Sequence, residues 1–556
     1  MKKAVLKCSS VAVLVLASQS AFAQIVGAGG QIQQVPPAPV QANPVPALPI
    51  PQAQPVLPLA PGTEFPVNSL NITGQTHFTA AQLLKVADFQ PGSQMTLPRL
   101  QAITARITNF YNQHGYFLAR AYLPAQDITN ETVTIGILEG DYGQIGLRNS
   151  ANISNVVLVR ILHGLNPGDT VQAAPLERRL LIISDLPGIR VGSTLSPGAQ
   201  VGTANLLVGV TQGPRVDGDV EADNWGNPYT GNWRVGGTIN WNEPFGAGDV
   251  LSLRTLESVD GGLAYLRLSY QRQLYDWTVG AALTGFKYRL GKQFRDLNAN
   301  GWEGIGSLYA SYPLIRSYTN NLNLLLDVDQ RFFQDNIGAY SSSVDKRATV
   351  FSAGISGNHY DGFGGGGWTY YGVTGTAGDL SIETPSARAE DEMTARTNGV
   401  YGKLSADISR LQHLVGPLSI YASFRGQLAS KNLDVSEKME LGGADGVRAY
   451  PEGEAYGDDG YIATLEPRLL LPEPKWLPGQ LEAIAFVDTG YVKIEHTPYF
   501  SGQNGLTRTG AGVGLNWSDP NGFMVTLTYA DLLGDNKATS YPDNAGEIWF
   551  QVIKYF

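Results

Sequence analysis

Arg448 stands in the run Gly446-Val447-Arg448-Ala449-Tyr450, inside a loop-like stretch of roughly residues 431–460 otherwise rich in glycine and acid. Asp445, Glu452, Glu454, Asp458 and Asp459 surround it. A guanidinium forms ion pairs through a rigid fork of donors and does not shuttle protons at neutral pH. As a solvated loop charge it would contribute at most about 1 kcal/mol to any pair. Drawn out of water between carboxylates it would pin the loop, since removing one partner of a desolvated pair costs roughly 3–5 kcal/mol. Residue types that do covalent or metal chemistry are poorly placed. His77, His114, His163, His359, His413 and His496 show no metal-ligand spacing, and Gly-x-Ser-x-Gly does not occur. Gly362-x-Gly364-x-x-Gly367 fits a dinucleotide pattern but links two strand-like runs with no helix behind it, which reads as a turn. Residues 285–292 have the wrong spacing for a phosphate loop. No catalytic residue, cofactor or metal is therefore expected, and the chain does not read as an enzyme.

The elements that would hold such a loop follow from composition. Only 16% of the 556 residues are charged, Gly and Tyr are abundant, and the net charge of −10 argues against nucleic acid as a partner. Met1-Lys2-Lys3, an apolar core near residues 11–17 and Ala21-Phe22-Ala23 read as a secretory signal peptide over residues 1–23, cleaved between Ala23 and Gln24. Cys8, the sole cysteine, falls inside it and ahead of the apolar core, too early for a lipid-acceptor site. Beyond residue 23 no apolar run reaches the 18 residues a membrane helix needs. An exported chain of this kind is either periplasmic and soluble or an outer-membrane β-barrel.

Residues 24–62 form a Pro-rich, low-complexity segment, read as a plain linker in preference to a tether threading a pore; extended, it would reach roughly 100 Å. Residues 63–140 read β-α-α-β-β. Thr79-x-x-Gln82 is a capping box, and Leu100, Ile103, Ile107, Phe110 and Tyr111 give the second helix an apolar face that stops at Gly115. Strands are expected over 116–123 and 132–138. Residues 141–213 repeat the plan, with helices near 155–162 and 175–186.

From residue 214 to 556 the period changes to two. Ala264, Leu266, Leu268 and Tyr270 alternate with Tyr265, Arg267, Ser269 and Gln271; Ile548, Phe550, Val552 and the terminal Phe556 share one face. Runs of nine or more residues, persisting to the end, favour lipid on one side and water on the other. Sixteen such runs predict a closed transmembrane β-barrel of sixteen antiparallel strands, with a lumen wide enough for an extended chain. The Arg448 loop falls between the eleventh and twelfth, on the extracellular side by parity.

Several stretches together resemble the two-partner secretion (TpsB-type) transporters, the haemolysin secretion/activation family of the POTRA-barrel (BamA-like) superfamily. Gly115-Tyr116 with Ala119-Arg120-Ala121-x-Leu123-Pro124-x-Gln126 is similar to the end of a first POTRA domain. Leu186-Pro187-Gly188-Ile189 with Leu195-Ser196-Pro197-Gly198 and Gly202 is similar to a second. Asn224-Trp225-Gly226, Thr230-Gly231, Arg234, Asn242-x-Pro244-Phe245-Gly246 and Gly248-Asp249 resemble the family's first barrel hairpin. The resemblance covers residue 63 to the end.

It implies that Val447, Arg448, Ala449 and Tyr450 form the inward-turned tip of the sixth extracellular loop, where the family carries Val-Arg-Gly-Tyr or Phe; Ala449 departs from that glycine. It also implies a wall partner for Arg448 at Asp488, in Phe486-Val487-Asp488-Thr489-Gly490. Alternation turns Asp488 and Gly490 inward, and on the preceding run Glu466 and Arg468, making Glu466 a second partner. Phe556 would be the signal read by the barrel assembly machinery; Lys554, two residues earlier on the lipid side, can snorkel. The family often plugs its barrel with an N-terminal helix, but Gly27, Gly29 and Gly30 predict none here. The implied function is an outer-membrane pore of a Gram-negative bacterium. It would export a β-helical (TpsA-like) exoprotein captured by periplasmic POTRA domains, with folding outside driving passage. The rivals are an assembly factor that inserts other barrels, and a passive porin.

Overall fold

The computed structural model describes residues 27–39, 63–473, 476–541 and 546–556. The expected cleavage site at Ala23 and Gln24 and most of the Pro-rich segment lie outside these residues.

The first α/β unit builds a sheet in which Ser69–Thr73 runs parallel to Thr132–Leu138, with Arg120–Tyr122 antiparallel on its other side. Helices Ala80–Ala87 and Leu97–Gln113 pack Leu83, Leu100, Ile103, Ile107 and Tyr111 onto Val133 and Ile135. Thr79 and Gln82 close the capping box reciprocally. The strand expected over 116–123 shrinks to Arg120–Tyr122 because Phe117 and Leu118 leave the sheet to pack on the core of the next unit. That second unit orders Asp141–Asn149, Thr203–Gln212 and Ile189–Pro197 under helices Asn155–Ile161 and Ala173–Ser184.

Sixteen further strands close a barrel, from the first at Val216–Asp223 to the last at Glu547–Tyr555. Every neighbouring pair is antiparallel, and closure runs from Gln551 opposite Asp223 to Tyr555 opposite Asp219. Leu266, Leu268, Leu283, Leu308, Leu465 and Val487 stand exposed on the outer face, while Phe286, Ile484, Phe486 and Trp549 are buried inside. A β-barrel leaves no backbone donor or acceptor unpaired in hydrocarbon, which is why strands of this kind can span a membrane. Phe556 exchanges two backbone hydrogen bonds with Gly218 (3.1 and 3.2 Å), so the terminal residue extends the closing seam. Lys554 bends its ammonium to the Asn521 carbonyl and sits 4.6 Å from the Phe523 ring centroid. Residues 362–366, the Gly-rich candidate, form a tight turn between the eighth and ninth strands.

The second α/β unit is docked under the turns that join strands two to seven. Asp276 receives Arg178 (3.0 Å) and Arg179 (2.7 Å), Arg316 grips Asp185 (2.6 Å), and Ser154 N–H donates to the Gly246 carbonyl (2.9 Å). In the first of these turns Glu243 is fully buried. Burial, aided by the charge of Asp249, raises its carboxyl to about 7 despite the Gly248 N–H that it accepts (3.1 Å).

Two expectations about the N-terminus fail. Residues 28–33 form a short helix, Ala28–Gln33, held inside the barrel. Ala28 N–H donates to Asp335 of the seventh strand (2.8 Å), Arg234 to the Gln34 carbonyl (2.9 Å), and Gln34 to the Tyr456 hydroxyl (2.6 Å). The glycines that argue against a helix permit this one to dock: a Cβ on Gly29 would lie 2.3 Å from the Ser436 Cβ. Ala28, Ile32 and Val35 pack with Tyr229, Phe286, Tyr288 and Phe294. Nor, over its described residues 36–39, is the following stretch a plain linker. Pro36 to Pro39 continue along the lumen, with a cavity of about 680 Å³ on one side that extends to Pro187 and Gly188 of the second unit.

Candidate functional site

Residues 430–458 join the eleventh strand, Leu418–Ala429, to the twelfth, Asp459–Leu471, as the sixth loop on the side of the barrel away from the α/β units. The loop folds back into the lumen on a short hairpin stem, Met439–Glu440 paired with Tyr456–Gly457. Its root is fastened by Lys438, buried against Asp458 (3.1 Å) and Glu495 (2.8 Å). Its tip turns tightly, with Val447 N–H donating to the Leu441 carbonyl (2.7 Å) and Tyr450 N–H to Val447 (3.0 Å).

Arg448 then reaches the wall. Its Nε and Nη2 grip both oxygens of Asp488 (2.8 and 2.9 Å), its backbone N–H donates to the same carboxylate (3.2 Å), and Nη1 takes Glu466 (2.7 Å). The guanidinium carbon lies 3.3 Å from the ring centroid of Phe486, two residues from Asp488 on the same inward face. Asp488 is fully buried and accepts a further bond from the Thr464 hydroxyl (2.9 Å). Glu466 also pairs with Arg468 (2.9 Å), which stacks on Tyr421 and does not touch Arg448. Arg468 also reaches Glu482 (3.7 Å), so two arginines stand among three carboxylates, of which Asp488 and Glu466 are the buried ones. A fork-shaped donor set held on a planar carboxylate is the strong form of this interaction. Gly490, further along the face, lies under Leu441.

The tip accommodates alanine. Ala449 is absent from the non-glycine residues with positive φ, which include Ala455 at 58°. Its methyl occupies the room left by Gly510 of the fourteenth strand, where a Cβ would fall 2.2 Å from that of Ala449. Val447, Ala449 and Tyr450 are buried in one apolar cluster with Leu441, Ile484 and Phe486, and the Tyr450 hydroxyl donates to the Asn536 carbonyl (2.6 Å).

Three parts of the site escape a reading of the sequence motif. Trp549 of the last strand donates its indole N–H to the Arg448 carbonyl (2.7 Å), and an inward aromatic between the lipid-facing Ile548 and Phe550 was the available signal. Glu454 forms a second attachment, buried against Arg508 (2.8 Å) and accepting N–H bonds from Thr539 (2.9 Å) and Ser540 (2.8 Å) of the eighth loop. The third is the N-terminal helix, whose Gln33 donates to the Val435 carbonyl (3.0 Å) of the sixth loop. A cavity of about 240 Å³ opens beside Arg448, and one of about 380 Å³ separates the loop from Gln34 to Pro37. The lumen is therefore filled by two segments of the chain rather than by wall side chains. Among the described residues no group of three or more His, Cys, Asp or Glu could hold a metal.

A sixteen-stranded barrel behind two α/β units, with a loop tip ion-paired to its inner wall, defines a POTRA-bearing outer-membrane transporter. Residues 202–517 match the family model described as haemolysin secretion/activation protein ShlB/FhaC/HecB, and residues 65–140 match the ShlB-type POTRA domain. The chain belongs to that family. It is 28% identical over 503 residues to the heme/hemopexin transporter protein HuxB of Haemophilus influenzae strain 86-028NP, covering 89% of this chain and 87% of HuxB. It is 24% identical over 505 residues to the outer membrane transporter CdiB of Escherichia coli O6:K15:H31, covering 86% and 82%. The structure of CdiB from Escherichia coli superposes with a TM-score of 0.72 at 20% identity, covering 92% of this chain and 94% of CdiB. The protein is a two-partner secretion transporter of the outer membrane, with its POTRA domains in the periplasm.

Proposed function

We propose that the transporter exports one β-helical partner exoprotein as an extended chain. Residues 63–140 and 141–213 act as the two POTRA units that capture it, and residues 214–556 conduct it. The free sheet edges Ser69–Thr73 and Ile189–Pro197 offer backbone groups for strand addition. The observation that carries the reading is the ion-paired Arg448 tip. It fixes the sixth loop to one wall through side chains that can part and re-form, while the other occupant, residues 28–39, is held by hydrogen bonds and apolar packing. Both are removable, and their removal converts a filled barrel into a conduit.

Photo-crosslinkers placed at the lumenal positions Asn240 and Gln271 test the reading during secretion. Crosslinks to a secreted protein encoded beside this gene are expected. Crosslinks to nascent barrels would make the protein an assembly factor, and small-solute flux with no protein crosslink would make it a porin. The Phe556 terminus is proposed as the contact for the machinery that assembles this barrel.

A further inference from the structure

Helix Asn155–Ile161 of the second POTRA unit buries Leu158 and Ile161 in its own core. Its flank toward the barrel is also occupied. Val157 lies against Gly248 of the first periplasmic turn, and the Arg160 guanidinium sits 5.4 Å from the ring centroid of Tyr275 in the second. The flank turned away from the core carries Val156 and Val159, three residues apart on one face, 56% and 58% exposed. The turns that Val157 and Arg160 touch expose Phe245 (76%) and Tyr275 (56%). The Phe245 ring lies 5.9 Å from that of Tyr270, on the lipid-facing side of the fourth strand, so the aromatic of the first turn joins the outer face of the barrel. Arg272 stands on the same outer face, two residues before Leu274 at the periplasmic end of the fourth strand.

We propose that this flank is a membrane-contact surface. Val156, Val159, Phe245 and Tyr275 enter the headgroup layer of the periplasmic leaflet, while Arg160 and Arg272 meet its phosphates. Aromatic and aliphatic side chains rimmed by arginine are the composition that binds an interfacial layer. The contact of Phe245 with the lipid-facing Tyr270 selects phospholipid over an exoprotein segment as the occupant. The contact fixes the second POTRA unit to the bilayer on one side of the barrel mouth, beyond what its ion pairs to the turns provide.

The experiment uses the full chain in vesicles of phosphatidylethanolamine and phosphatidylglycerol, some carrying bromine close to the headgroup. An environment-sensitive fluorophore is attached to Val159→Cys, to Phe245→Cys and, as a control, to Leu207→Cys on the far face of the same POTRA sheet. The expected result is blue-shifted emission and bromine quenching at 159 and 245, with neither at 207. Water-like, unquenched emission at 159 overturns the proposal. So does emission at 159 that shifts only when an amino-terminal fragment of the exoprotein is added, which would make the flank a substrate site. Val156→Cys gives an independent second position on the same face.

Discussion

Replacing Arg448 by alanine should release the tip of the sixth loop from the barrel wall. The substitution removes three side-chain hydrogen bonds of 2.7–2.9 Å and the stack on Phe486. It leaves Asp488, which is fully buried, and Glu466, almost so, with a net negative charge that the docked loop keeps from water. Breaking a buried pair in this way costs roughly 3–5 kcal/mol, and each 1.4 kcal/mol is a factor of ten. The docked fraction should therefore fall by roughly two to four decades relative to the released form. Heat-modifiable mobility should remain that of an inserted barrel, because no wall hydrogen bond is lost. Proteolysis of residues 441–455 on intact cells should become rapid, and secretion of the exoprotein should collapse. Arg448→Lys keeps the charge but loses the two-pronged grip and most of the stacking, so it should fall between the two. Asp488→Ala combined with Arg448→Ala should cost less than the sum of the single changes, since the second removes a charge the first has orphaned. Wild-type secretion and a protease-resistant loop in Arg448→Ala would refute the reasoning.

Three other outcomes follow from close contacts and one buried acid. Gly29→Val should drive the N-terminal helix off Ser436, with an overpacking cost of about 1–3 kcal/mol, and should raise single-channel conductance in planar bilayers while secretion continues. Gly510→Ala should loosen the loop tip, and adding Ala449→Gly should restore protease resistance, because the two methyl groups compete for one space 2.2 Å apart. Glu243 has a carboxyl raised from 4.5 to about 7 in the folded protein, so its contribution to stability is complete below about pH 4 and is lost as the pH rises through 7. Thermal unfolding should show the POTRA–barrel junction weakening between about pH 4.5 and 7 in the native chain, and Glu243→Gln should flatten that slope.

The barrel was legible because each strand divides lipid from water over eight residues or more, so alternation such as Ala264, Leu266, Leu268 against Tyr265, Arg267, Ser269 repeats too long for chance. The facing of Asp488, Glu466 and Arg468 followed from the same parity. Trp549 and Arg508 were open to that logic too, but their partners lie in loops whose paths no periodicity encodes. The N-terminal helix was illegible for a different reason. Six residues with two glycines have no intrinsic helical stability, and the helix exists because the lumen supplies its hydrogen bonds and Gly29 admits Ser436. Ala449 misled in the opposite direction, since the room for its methyl comes from Gly510, sixty-one positions away in sequence.

The path of residues 28–39 also sets how quickly a vacated pore is refilled. Between Pro39 in the lumen and Thr63 at the start of the first POTRA unit lie residues 40–62, 23 positions that span at most about 80 Å. A helix withdrawn to the periplasm remains covalently joined to the first POTRA unit, so its return is a unimolecular step whose effective concentration is set by the length of that connection. An exoprotein arriving from dilute solution must outcompete a resident ligand it can never dilute away. Capture by the POTRA units, which raises the local concentration of the incoming chain at the same mouth, makes that competition winnable. Lengthening the connection should lower the threshold at which the exoprotein gains the lumen.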